Sequence, residues 1–117
     1  MGIFRTKRSD KKYRKLIAAG FLQNNGCKLC KEVIVKKFKH WKVIQNRFPW
    51  DRIAKVHHMI VPIRHVTFEK LNNAEKKEYQ IIKESYLQKN YENISESTNK
   101  RKTIPEHFHL HLIVAKD

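Results

Sequence analysis

The chain has 117 residues, a formal net charge of +15 and a sequence pI of about 10.0. Its length suits one domain with a modest core. No apolar run approaches the ~18 residues of a membrane span, and the first twelve residues carry charge but no apolar signal-peptide core, so a cytoplasmic setting is expected.

The basic excess is uneven. Arg5, Lys7, Arg8, Lys11, Lys12, Arg14 and Lys15 crowd the N-terminus against Asp10 alone. Such a front favours polyanions, including nucleic acid bound without sequence preference; a merely solvated basic surface is the plain alternative. Ser9 or Asp10 is predicted to cap a helix running to about Leu22, with Tyr13, Leu16, Ile17 and Phe21 as its apolar stripe. Asn24-Asn25-Gly26 is a stop signal. Residues 1–25 therefore read as a basic helical extension ahead of a domain at 26–117. Cys27 and Cys30 follow at CxxC spacing, which suits a metal knuckle or redox work better than a structural disulfide. Residues 32–37 and 41–48 read as strands. Pro49-Trp50-Asp51 makes a turn, and 54–61 is a third strand ended by Pro62. Asn73 is expected to cap a long helix from Ala74 to about Lys89. Residues 90–97 hold a short strand, Thr98 to Thr103 form a basic polar loop, and Pro105 opens a final strand. Helix, three strands, long helix and two strands make an α+β domain with a mostly antiparallel sheet of about five strands.

The final strand carries the most chemistry. In His107-Phe108-His109-Leu110-His111-Leu112-Ile113-Val114 three histidines alternate with large apolar residues. Period two puts Phe108, Leu110 and Leu112 on a core face and the imidazoles on the other, ~7 Å apart. Imidazole near neutral pH accepts protons, attacks phosphorus or binds metal. The outer pair would stand ~13 Å apart, so one ion shared by all three is strained. A metal ligand at one end and a reactive histidine in the middle is easier to build.

This run resembles the signature of the histidine-triad (HIT) superfamily. Val56-His57-His58-Met59-Ile60-Val61-Pro62-Ile63-Arg64-His65 is similar to the strand-then-turn segment of that family, and Cys27-Lys28-Leu29-Cys30 resembles the CxxC of its zinc-bearing members. The three matches stand in the family's order and span roughly residues 27–117. The resemblance implies a five-stranded antiparallel sheet with a packed helix, commonly paired as a two-fold homodimer. It implies that His109 attacks a nucleoside phosphate to form a nucleotidyl-histidine intermediate, and that His111 contacts the phosphate or leaving group. It also implies a structural Zn2+ held by Cys27, Cys30, His57 and His107, with His57 chosen because it stands five residues before Pro62. His58 then points to the opposite face, and His65 closes the turn by hydrogen bonding. The family's glycine-rich stretch before the first histidine has no counterpart here. Thr103 is left to supply a hydroxyl, and Lys100 and Arg101 to supply charge. The expected function is a nucleotide hydrolase or nucleotidyl transferase acting on a phosphoramidate, a dinucleoside polyphosphate or a nucleotidylated adduct. A non-catalytic nucleotide- or RNA-binding module and a zinc hydrolase are the other classes. Removing residues 1–16 is expected to weaken polyanion binding and spare small-nucleotide chemistry.

Overall fold

The computed structural model describes residues 4–18, 28–98 and 106–117. The first helix, α1 (Lys7–Ala18), starts earlier than the sequence suggested. Thr6 caps it: the Ser9 amide donates to Thr6 Oγ1 at 3.2 Å, and the Asp10 amide to the Thr6 carbonyl at 2.9 Å. Asp10, one turn in, instead accepts from Arg14 Nε at 2.7 Å, an i,i+4 pair. The expected run to Leu22 and the Asn24-Asn25-Gly26 stop lie outside the described residues.

A short helix, α2 (Lys28–Lys31), precedes β1 (Ile34–Lys37), β2 (Trp41–Gln45) and β3 (Ala54–Pro62). A 3-10 turn (Phe68–Lys70) leads into α3 (Asn73–Ile82). The helix continues through a π segment (Lys83–Leu87) into α4 (Gln88–Asn90), giving one helical rod of 18 residues. Strands β4 (Asn93–Ser95) and β5 (Leu110–Ala115) complete the chain. The fold is α+β, with a five-stranded antiparallel sheet in the order β1-β2-β3-β5-β4.

The rod is anchored at its start. Asn72, not Asn73, is the cap, and it forms a full capping box with Glu75. Glu75 is buried, and its carboxylate also takes two bonds from Arg64, at 2.9 and 2.7 Å. Its carbonyl accepts from Trp41 Nε1 at 2.8 Å, which ties the rod to β2. The π segment has a packing consequence. Ile82 and Leu87 are five residues apart, a spacing that an α-helix would put on different faces, yet both are buried. One i→i+5 turn restores them to the core side.

Alternation along the strands gives the sheet two different faces. Trp41, Val43, Ile60, Leu110 and Leu112 pack with Phe108 under Ile82 and Leu87 of the rod. The opposite face buries Leu29, Ile44, Met59 and Val61 in one cluster and Trp50, Ala54 and Ile113 in another. His57, His107, His109 and His111 are buried as well. The expected division of the final segment into a core face and a histidine face therefore holds. Only Leu110 onward is paired strand, so His107 and His109 stand just before β5.

Candidate functional site

Two histidine assemblies lie at opposite ends of this segment. At one end, Cys30, His65 and His107 offer ligand atoms that all lie within 4.8 Å of one another. Cys30 Sγ is 3.5 Å from His65 Nδ1 and 3.4 Å from His107 Nδ1. His107 is fully buried, and its Nε2 is 2.8 Å from the Pro62 carbonyl. A carbonyl only accepts, so Nε2 carries the proton and the Nδ1 lone pair faces Cys30. That is how a ligating imidazole is usually held. Burial lowers the His107 pKa, opposed by the Pro62 bond, and this favours the neutral ring that a metal requires. The Lys42 ammonium donates to the Cys30 carbonyl at 3.3 Å and ties β2 to α2. The group can hold a metal ion.

His57 is not part of this group, and His65 takes the place expected for it. The register explains the exchange. Leu110 pairs with Ile60 and Ile113 with His57. Each step back along β5 is a step forward along β3, so His107 falls beside position 63, about 20 Å along the sheet from His57. The chain turns after Pro62 and returns His65 to that same end, with its ring 4.9 Å from that of His107. Cys27, the fourth expected ligand, lies outside the described residues.

At the other end, His57 and His111 form a directed pair. The Trp50 backbone amide donates to His57 Nδ1 at 2.9 Å, so His57 carries its proton on Nε2. That nitrogen is 2.8 Å from His111 Nδ1, which must accept, so the His111 proton sits on Nε2. Asn46 Nδ2 also stands 3.3 Å from His57 Nε2, but its carbonyl is already fixed by the Phe48 amide. This longer contact sets two donors against each other, and the shorter bond to His111 prevails. The Trp50 ring stacks on His111 with centroids 4.2 Å apart and planes 28° apart. Ser97 Oγ is 3.5 Å from His111 Nε2, a polar neighbour at the edge of bonding range. Burial, then the neighbouring histidines and Arg5, depress the His111 pKa to about 2. Burial, then Arg5 and His58, depress that of His57 to about 3. Both rings are neutral at pH 7, so His111 offers a hydrogen-bond donor at Nε2 and not a cation.

His109 lies between the two assemblies, with its ring 5.3 Å from that of His111. Its Nδ1 is 3.0 Å from the His107 carbonyl, so Nδ1 carries the proton and Nε2 the lone pair. His58 points to the helix side, as expected, and meets the Tyr91 hydroxyl at 2.6 Å. Thr103, Lys100 and Arg101 lie outside the described residues.

The sequence assigns His65 a turn-closing role and not a place beside Cys30 and His107, and it assigns Trp50, Asn46 and Ser97 no place at the histidines. Pro-x-x-His after a strand was a visible signal for His65; nothing local marked the other three. Arg5, counted among the polyanion contacts, is buried. Its Nε donates to the Phe48 carbonyl at 3.0 Å, and its guanidinium lies 4.0 Å from the Tyr13 ring. No protein-family model matches the chain, and no curated protein matches it.

Proposed function

We propose that this chain is a HIT-type nucleotide hydrolase or nucleotidyl transferase, with His109 as nucleophile. The observation that carries the reading is the His109 tautomer. A ring whose Nδ1–H is bound to the His107 carbonyl carries its lone pair on Nε2, the nitrogen that would attack phosphorus, with the neutral donor His111 beside it. Nε2 attacks a nucleoside phosphate, the N–P bond forms, and the leaving group departs with the bonding pair of the broken P–O or P–N bond, an amine leaving group taking a proton from solvent as it goes. The ring becomes a phosphorylated imidazolium, whose charge the His107 carbonyl stabilises through Nδ1–H. His111 Nε2–H donates to a phosphate oxygen where charge develops. Water or another acceptor then attacks phosphorus and gives up its proton to solvent, and the N–P pair returns to His109 Nε2.

The metal group fits structural Zn2+ held by Cys30, His65 and His107, with Cys27 as fourth ligand. Such an ion would tie the start of the domain to the turn after β3 and to the triad. Pairing of two copies and attraction of nucleic acid by the exposed cations of α1 belong to the same reading.

The test is incubation with labelled adenosine phosphoramidate, scored for turnover and for an acid-labile protein adduct. His109→Ala is expected to remove both, with a rate loss of several powers of ten. Near-normal turnover in that variant overturns the covalent mechanism. Nucleotide binding with neither turnover nor adduct in the wild-type chain makes the protein a binding module.

A further inference from the structure

The N-terminal extension is fastened to the histidine site by a short strap. The Phe4 carbonyl accepts from the Arg52 amide at 3.0 Å, and the Thr6 amide and hydroxyl donate to the two Asp51 carboxylate oxygens at 2.9 and 3.3 Å. Arg5 reaches back to the Phe48 carbonyl, and Tyr13 of α1 packs on the Phe48 ring at 5.0 Å. Residues 4–6 therefore grip the turn at 48–52 from both sides of Trp50. The Phe4 ring stands 4.9 Å from Trp50, which is itself buried. Trp50 touches both imidazoles of the pair: its ring lies 4.2 Å from His111 and 4.6 Å from His57, and its amide sets the His57 tautomer.

We infer that Trp50 is a positioning residue for His111 and that the Phe4–Thr6 strap holds Trp50 in place, which makes the N-terminal extension a working part of the histidine site. An imidazole whose Nδ1 accepts from His57 can still swing about that bond. An indole lying flat on one face removes this freedom and keeps water from the ring, so Nε2–H is left with one direction. Phe4 closes the outer side of the indole. The strap thus corrects the expectation that residues 1–16 are dispensable for small-nucleotide chemistry. The kinetic half of the inference rests on the function proposed above; the structural half does not.

The experiment compares Trp50→Ala, Trp50→Phe and Phe4→Ala with the wild-type chain by two readouts. Long-range proton–nitrogen NMR spectra of the imidazoles report tautomers without any substrate. The wild-type chain is expected to show His111 as a single Nε2–H tautomer. Trp50→Ala keeps the backbone amide but loses the indole that seats the 48–52 turn against Phe4, His57 and His111. The amide then no longer stays on His57 Nδ1, and a mixture is expected. Phe4→Ala is expected to show a partial one, and Trp50→Phe the wild-type form, because a smaller ring still fills the seat. In the phosphoramidate assay, Trp50→Ala is expected to lose about 100-fold in kcat with KM changed far less. Phe4→Ala is expected to fall between, and Trp50→Phe to recover most of the loss. If Trp50→Ala fails to fold, Phe4→Ala and Trp50→Phe decide alone. A folded Trp50→Ala or Phe4→Ala chain with an unmoved His111 tautomer and kcat within twofold of wild type overturns the inference. Tautomers that change as expected in a chain without turnover leave the inference standing and remove the proposed enzyme instead.

Discussion

Mild acid should unfold this protein earlier than its carboxylates alone would dictate. His57 and His111 are buried, hydrogen-bonded to each other and neutral, with pKa values held down to about 3 and about 2 against 6.5 for an unperturbed ring. Above pH 7 neither the folded nor the unfolded chain protonates them, so they contribute no pH dependence. As pH falls through 6.5 the unfolded chain takes up protons that the folded chain refuses, and stability drops until the folded values are reached. Between pH 7 and 5 each ring costs about 2 kcal/mol, roughly 4 for the pair, from about 1.4 kcal/mol per pH unit. A small domain has about 5–15 kcal/mol in total. Asp10, Asp51 and Glu75 have lowered pKa values, so the stability they contribute is lost only at lower pH. Burial lowers His58 and His107 too, which steepens the total slope. The assay is therefore a difference: urea unfolding at pH 7, 6 and 5 and fixed zinc, for wild type and His111→Asn, whose Oδ1 can still accept from His57. The wild-type chain should lose about 2 kcal/mol more than the variant between pH 7 and 5. Equal losses, within about 0.5 kcal/mol, would refute the neutral-pair account.

Three further outcomes are expected. Protein purified without a tag should carry about one zinc per chain; His65→Ala should lose it or bind far more weakly, while His57→Ala should retain it, as metal analysis will show. Glu75→Ala should destabilise the fold by roughly 2–4 kcal/mol in chemical denaturation, because the cap, the Arg64 pair and the start of the rod depend on one buried carboxylate. Binding of a mixed-sequence RNA should weaken steeply with salt, and replacing Lys11, Lys12 and Lys15 of α1 by Gln should reduce the slope of log K against log salt by about 2–3; an unchanged slope would place any binding elsewhere.

The helices and strands were legible because their signals are local. Pro62 at the end of 54–61 and alternation after His107 marked β3 and β5, and Asn73 ahead of an apolar stripe marked the rod, with the cap misplaced by one residue. The misplaced start of α1 shows where local reading stops. Ser9 and Asp10 are good caps by propensity, but Thr6 wins because Asp51, 45 residues away, fixes its amide and hydroxyl. The π segment was equally hidden, since its reason is the joint burial of Ile82 and Leu87 against the sheet.

The site was legible in its residue types and not in its partnerships. Motif spacing counted His57 back from Pro62, but spacing along one strand says nothing of which end of that strand meets the triad. The antiparallel register decides it. With Leu110 beside Ile60, His107 falls at Pro62 and the turn that follows it, and His111 falls beside the middle of β3. The histidines of one short segment are thereby sorted into two chemical settings. His107 keeps its lone pair toward a thiol and a second imidazole, under a carbonyl that fixes its other nitrogen. His111 keeps its proton outward because the Trp50 amide, acting through His57, leaves it no other tautomer. His109 lies between them and takes its orientation from the His107 carbonyl. A metal at Cys30, His65 and His107 would therefore fix the backbone that aims His109 without touching its ring. Loss of zinc should accordingly loosen His109 before it affects the His57–His111 pair, whose support comes from Trp50 and the N-terminal strap.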